Sequence, residues 1–161
     1  MPMIDLTVPR GVLTDEAKAS LLRTLTRTVL KWEGAEPGNA AAESIAWAFL
    51  HEPALVTVAG RAVSEPRYRV VVGVPQATLD DEAKRSVVAE VTEQVLRAEH
   101  NGAQPAAGDE WRVWVIIDEV ADGHWGGAGR IFRLADVLAF AGADKDEITR
   151  RTARLAPPVP A

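Results

Sequence analysis

Leu13-Thr14-Asp15-Glu16-Ala17-Lys18-Ala19-Ser20 is answered sixty-six residues later by Leu79-Asp80-Asp81-Glu82-Ala83-Lys84-Arg85-Ser86. Across 13–30 and 79–96, nine of eighteen positions are identical. The flanks match as well. Pro2–Val8 lies opposite Tyr68–Val74, and both are short β-type runs. At an offset of sixty-seven, Ser44–Glu52 lies opposite Trp111–Glu119, so that Trp47 matches Trp114 and Glu52 matches Glu119. Two copies are too few for a solenoid. The pattern predicts a duplicated β-α-β unit.

Each predicted helix carries its own start signal. Thr14 and Asp80 are N-cap residues, and acids fill both first turns, where the helix dipole favours negative charge. Ala17, Leu21, Leu25 and Val29 form an apolar stripe at i, i+4 spacing; Ala83, Val87, Val91 and Val95 repeat it. Joined side by side, the two units give an α/β (α+β) fold. Four strands form one sheet, two helices cover one of its faces, and a helical extension follows. The organisation expected is one domain over 1–141, built of repeats 1–66 and 67–133, with an extension and tail over 142–161.

The strands are apolar on both faces. In 70–74 (VVVGV) and 113–117 (VWVII) no polar side interrupts the run, and in 44–52 Ile45, Trp47 and Phe49 share one side. Two helices cover only one face, so the other should be buried by self-association. Residues 34–43 and 99–110 read as loops, with 53–67 an irregular bridge in which Val56–Gly60 can add a short strand. Gly123–Gly129 reads as a glycine-rich turn. Helices are expected at Leu134–Phe140 and Asp144–Leu155, and a frayed tail at Pro157–Ala161.

The chain has 161 residues, 47% hydrophobic and 25% charged, which suits one globular domain. It has no cysteine, which removes disulfides, thiol catalysis and thiolate metal sites. His51, His100 and His124 are dispersed, so no metal site is expected. The net charge of −5 is interspersed and argues against nucleic acid or an anionic membrane surface as partner. No signal peptide or membrane span is read, and the expected location is cytoplasmic. The glycine loop has neither dinucleotide nor phosphate-loop order, and no cofactor is expected.

The residue with the clearest chemistry is Pro2. Removal of Met1, expected before a small residue, leaves a secondary amine. An α-amino group titrates near 7.7–8.0, and apolar surroundings lower that value, so a neutral base is available at pH 7. Around it, Arg10, Arg112 and Arg130 are candidates for carboxylate binding, since guanidinium pairs with carboxylate in bidentate fashion. Trp47, Trp114 and Trp125 can wall an apolar pocket, and His51 is an acid/base candidate. Each also has a bland reading as a packing or strand-end group.

Pro2, the paired LTDEAK/LDDEAK helix starts and the run 113–119 into Glu119-Val120-Ala121-Asp122-Gly123-His124-Trp125-Gly126 together resemble the tautomerase superfamily. The resemblance covers about residues 2–133 and is to its fused, two-unit members. It lies toward the 4-oxalocrotonate tautomerase, malonate semialdehyde decarboxylase and cis-3-chloroacrylic acid dehalogenase groups. His51-Glu52-Pro53 is similar to the strand-end segment of the latter two. The resemblance implies a catalytic Pro2, a small carboxylate or 2-oxo acid substrate, and a homotrimer. The activity implied is keto–enol tautomerisation. This sequence departs from the family's pattern at several points. The family's strand arginine falls at Trp114 and Trp47, the decarboxylase arginines near Ala77 and Leu79, and its aspartate near Ile45. The dehalogenase tyrosine has no counterpart. Two alternatives stand beside tautomerisation. One is hydratase-type dehalogenase or decarboxylase chemistry with His51, Glu52 or Glu43 activating water. The other is a non-catalytic oligomeric binding module.

Overall fold

A computed structural model describes residues 2–155. Each repeat opens on a strand and a long helix. The first has β1 (Met3–Thr7), α1 (Asp15–Trp32), a short α2 (Ala40–Ser44) and β2 (Trp47–His51). A two-residue-stranded hairpin, β3 (Thr57–Val58) and β4 (Arg61–Ala62), leads to the second repeat. That repeat has β5 (Tyr68–Pro75), α3 (Asp81–Glu99) and β6 (Val113–Val120), then a hairpin of β7 (Trp125–Gly127) and β8 (Arg130–Phe132). Helices α4 (Leu134–Phe140) and α5 (Lys145–Thr152) follow.

The sheet order is β2-β1-β5-β6. β1 and β2 are parallel, as are β5 and β6, and the repeats join antiparallel through β1 and β5, with Met3 opposite Gly73 and Thr7 opposite Arg69. The sheet thus has two like ends. Pro2, the start of β2 and the ends of β5 and β6 share one. Tyr68, the start of β6 and the ends of β1 and β2 share the other.

The helix starts form as their sequence dictates. The Thr14 hydroxyl accepts from the Ala17 N–H at 3.2 Å, and the Asp80 carboxylate accepts from Ala83 N–H at 2.9 Å. That bond, foremost, holds the Asp80 carboxyl below its ordinary range. The stripes Leu21, Leu25, Val29 and Val87, Val91, Val95 are buried on Ile4, Leu6, Val70, Val72 and Val74. Each such side chain contributes about 1.5–3 kcal/mol relative to exposure. Thr28 and Gln94, counterparts sixty-six residues apart, bond to each other at 2.7 Å between α1 and α3. Each helix also ties down its own return strand. Lys18 pairs with Glu52 at 2.8 Å, and Lys84 with Glu119 at 2.5 Å.

The opposite face of the sheet is bare. Trp47 is 63% exposed and Trp114 70%, with Met3, Phe49 and Ile116 also open. The expected one-sided helix layer is therefore present. Some boundaries differ from expectation. Strands β2 and β6 begin later than 44 and 111. Asn39 caps α2 through the Ala42 N–H, which takes Ser44 into a helix. A 3₁₀ turn over Asp109–Arg112 likewise takes up Trp111 and Arg112. The segment 34–43 is thus partly helical, and 123–129 is mostly a hairpin. The Pro157–Ala161 tail lies outside the described residues. Among the described residues, no helix is long and apolar enough to cross a membrane.

Candidate active site

Pro2 is buried at the floor of a cavity of about 670 Å³. Its carbonyl accepts the Trp47 N–H at 3.1 Å, which fixes it beside the first residue of β2. The walls come from both repeats and the extension: Trp47 from β2, Trp125 and Phe132 from the second hairpin, and Phe140 from α4. His124 and Arg130 are the titratable or charged side chains of the lining, and the Arg130 guanidinium stacks on Phe132, 4.8 Å from the ring centroid.

The wall has a definite construction. The β7–β8 turn is Ala128-Gly129, with φ of 48° and 73°, the pair of positive angles that a two-residue type I′ hairpin needs. Gly127 leaves room for Phe132, whose ring lies 3.1 Å from where a Cβ would stand. Asp122 fastens this hairpin to α4. Its carboxylate accepts from Leu134 N–H and from Arg133, each at 2.8 Å. Burial opposes the Asp122 charge, but the Leu134 bond and the Arg133 guanidinium outweigh it and hold its carboxyl below the ordinary range.

Of the candidates read from sequence, this cavity gathers Pro2, Trp47, Trp125 and Arg130. The others lie elsewhere. Arg10 follows β1, at the far end from Pro2, and is exposed. His51 closes β2 at that same end, with its Nε2 2.5 Å from Asp5 Oδ1 on the bare face. Trp114, the second residue of β6, lies there too.

Arg112 must be corrected. The sequence offered it as a binder of a substrate carboxylate. It is instead 6% exposed in the 3₁₀ turn, bonded to Glu99 at 2.8 Å and to Asp109 at 3.1 Å. A guanidinium so occupied is structural. The water activators are dispersed too. Glu52 is tied to Lys18 at the far end, and only Glu43, exposed on α2, lies next to the cavity-lining Ser44. Phe132, Phe140 and His124 were not singled out. The signal for the hairpin was present as Ala59-Gly60-Arg61, repeated at Ala128-Gly129-Arg130. Among the described residues, no group of three His, Cys, Asp or Glu can hold a metal.

Residues 70–135 match the family model described as tautomerase enzyme. No curated protein matches the chain in sequence. Solved structures match its fold. A fused 4-OT symmetric trimer is 22% identical, with a TM-score of 0.62 over 80% of this chain and 93% of that one. N1, a member of the cis-3-chloroacrylic acid dehalogenase family, is 14% identical, with a TM-score of 0.68 over 94% of this chain and 99% of that one. Pt0534, in a form inactivated by 2-oxo-3-pentynoate, is 20% identical, with a TM-score of 0.64 over 80% of this chain and 95% of that one. The second repeat matches the tautomerase family model, and the whole sheet shares the fold of the fused 4-OT structure.

Proposed function

We propose that this protein is a keto–enol tautomerase of small 2-oxo acids that uses the amine of Pro2 as base and then acid. The observation that carries this reading is the burial of Pro2 at the floor of an aromatic cavity with one guanidinium, Arg130, in its lining. An amine in such surroundings is more readily neutral than in water. It takes the enol O–H proton and returns a proton to the adjacent carbon. Arg130 binds the substrate carboxylate, and Trp47, Trp125, Phe132 and Phe140 exclude water. The reaction moves only protons and needs no cofactor.

The chain is read further as a homotrimer, the state of the fused 4-OT neighbour. Support comes from the bare face, where Trp47, Phe49, Trp114 and Ile116 form an apolar surface that the chain does not itself cover. The hydration alternative draws less support, because His51 and Glu52 stand at the other end of the sheet from Pro2.

The test is ketonisation of phenylenolpyruvate and 2-hydroxymuconate, followed spectrophotometrically. The intact mass is checked for loss of Met1. Pro2→Ala should lower kcat/KM by about 10²–10⁴-fold, the usual share of a positioned acid–base group, with circular dichroism unchanged. Equal activity of the two proteins on every enol accepted would overturn the reading.

A further inference from the structure

Among the described residues, the lining of the Pro2 cavity holds one charged side chain, Arg130, and no carboxylate. Arg130 makes no ion pair among those residues, and its guanidinium rests on the Phe132 ring. Beyond the indole N–H groups, the polar side chains of the lining are Ser44 and His124. The Ser44 hydroxyl is already spoken for, since it donates to the Ala41 carbonyl at 2.8 Å. The rest of the wall is aliphatic and aromatic.

Phe140 differs from the other rings in that it comes from outside the two repeats. It is the last residue of α4 and is 54% exposed, yet its helix is fastened at both ends. At the start, the Leu134 N–H donates to Asp122. At the end, Asn39 Nδ2 donates to the Ala141 carbonyl at 2.7 Å, while the Oδ1 of the same side chain caps α2 through Ala42. Between these ties Val137 and Leu138 are buried. An open phenyl ring is thus set in a fixed place on a preformed cavity, where a ligand can cover it.

An acid whose carboxylate meets Arg130 carries the rest of its skeleton in among these rings. A flat apolar tail gains by covering aromatic faces. A second carboxylate loses its water there and has no cation left to meet, which is costly. The cavity volume of about 670 Å³ lies within the roughly 300–1,000 Å³ of small-molecule sites, and a three-carbon acid leaves most of it unfilled.

We propose that Phe140 is a specificity-determining residue of this cavity: with Arg130 as the single cation, it selects monocarboxylates bearing a flat apolar tail, aryl above all, over dicarboxylates. The inference rests on the reading of the cavity as an enol-acid site. It adds which acids enter, and it gives the helical extension a part in the choice.

The experiment separates binding from turnover. trans-Cinnamate has one carboxylate on an aryl tail, and trans,trans-muconate is a flat dicarboxylate; neither can ketonise. Both are titrated by calorimetry into Met1-free protein at pH 8.5, where histidines and α-amino groups are ordinarily for the most part uncharged. Cinnamate should bind wild type at least about tenfold more tightly than muconate, and Phe140→Ala should weaken cinnamate about tenfold with little effect on muconate. Phe140→Lys, which exchanges the ring for a second cation, should bring muconate level with cinnamate or above it. Muconate bound by wild type as tightly as cinnamate, or neither bound, would overturn the selectivity. Equal cinnamate affinity in wild type and folded Phe140→Ala would overturn the role of Phe140. Pro2→Ala is assayed beside them on enols. A cinnamate preference together with full activity of Pro2→Ala would sink the acid–base reading of Pro2 and sustain the selectivity of the cavity, so the two failures are told apart.

Discussion

The two repeats share strands, helices, caps and lysine–glutamate ties, yet their equivalent ends have opposite fates. At the first, the residue just before the strand is Pro2, in the lining of a cavity walled by the second hairpin and α4. At the second, the opening residue is Tyr68, buried beside Glu99 and Arg112, with Asp109 paired to that arginine. The hairpins differ in the same way. β3 and β4 are exposed throughout, whereas β7 and β8 line the cavity. A duplicated frame therefore leaves a cavity at one end and packs the other into a structural plug.

The largest effect on this contrast should come from the plug. Arg112 and Glu99 have side chains 7% and 15% exposed, so removing one leaves the other charged and buried. Arg112→Met should destabilise the protein by about 3–5 kcal/mol in chemical denaturation. The double variant with Glu99→Leu should recover part of that loss, because Glu99 is no longer stranded while Asp109 keeps His100 and the Ala106 N–H. The tautomerase activity proposed for the protein should, per folded molecule, match wild type in both. A fall in kcat/KM of the folded double variant would mean that the second end takes part in the chemistry after all.

Asp122 tests the roof that the first end has. Its carboxylate joins the second hairpin to α4 through Leu134 and Arg133. Asp122→Ala should cost about 1.5–3 kcal/mol, the range for hydrogen bonds to a charged group, and raise KM as the wall loosens. The pH dependence has a definite sign. The folded-state carboxyl is held below its ordinary 3.8, so the stabilisation is full above that value and is lost as pH falls through the lowered one. Wild type should therefore lose stability relative to Asp122→Ala on acidification below pH 3.8, in denaturation curves taken at stepped pH.

Much of this contrast was legible in the sequence because it rests on local rules. Thr14 and Asp80 announced the helices, the i, i+4 stripes named the buried residues, and strands apolar on both sides revealed the uncovered face. Pro2, Trp47, Trp125 and Arg130 were named before their convergence could be seen. Arg112 was misread because alternation was extended two residues past the true start of β6, and a 3₁₀ turn is invisible to a period-two pattern. Glu33 and Glu99 went unremarked because a glutamate at a helix end reads as solvated. Burial of these two depends on what the other repeat and α5 bring against them, which no local pattern encodes. Arg10, His51 and Trp114 were grouped with Pro2 by residue type, and sheet direction separates them.

The smallest effect belongs to the turns. Ala59-Gly60 and Ala128-Gly129 adopt the same geometry, with φ of 49° and 76° in one and 48° and 73° in the other. Alanine is a poor occupant of the first position, where asparagine is favoured. Ala59→Asn and Ala128→Asn should each relieve the same local strain, worth about 0.5–1 kcal/mol. If the hairpins differ as their surroundings indicate, the gains will not be read equally. The exposed β3–β4 hairpin can open without unfolding the sheet, so its gain should appear mainly as slower local amide exchange. The β7–β8 hairpin is fastened through Asp122 and lines the cavity, so its gain should appear in global stability as well. Equal global gains from the two substitutions would show that the first hairpin is as firmly built into the folded protein as the second.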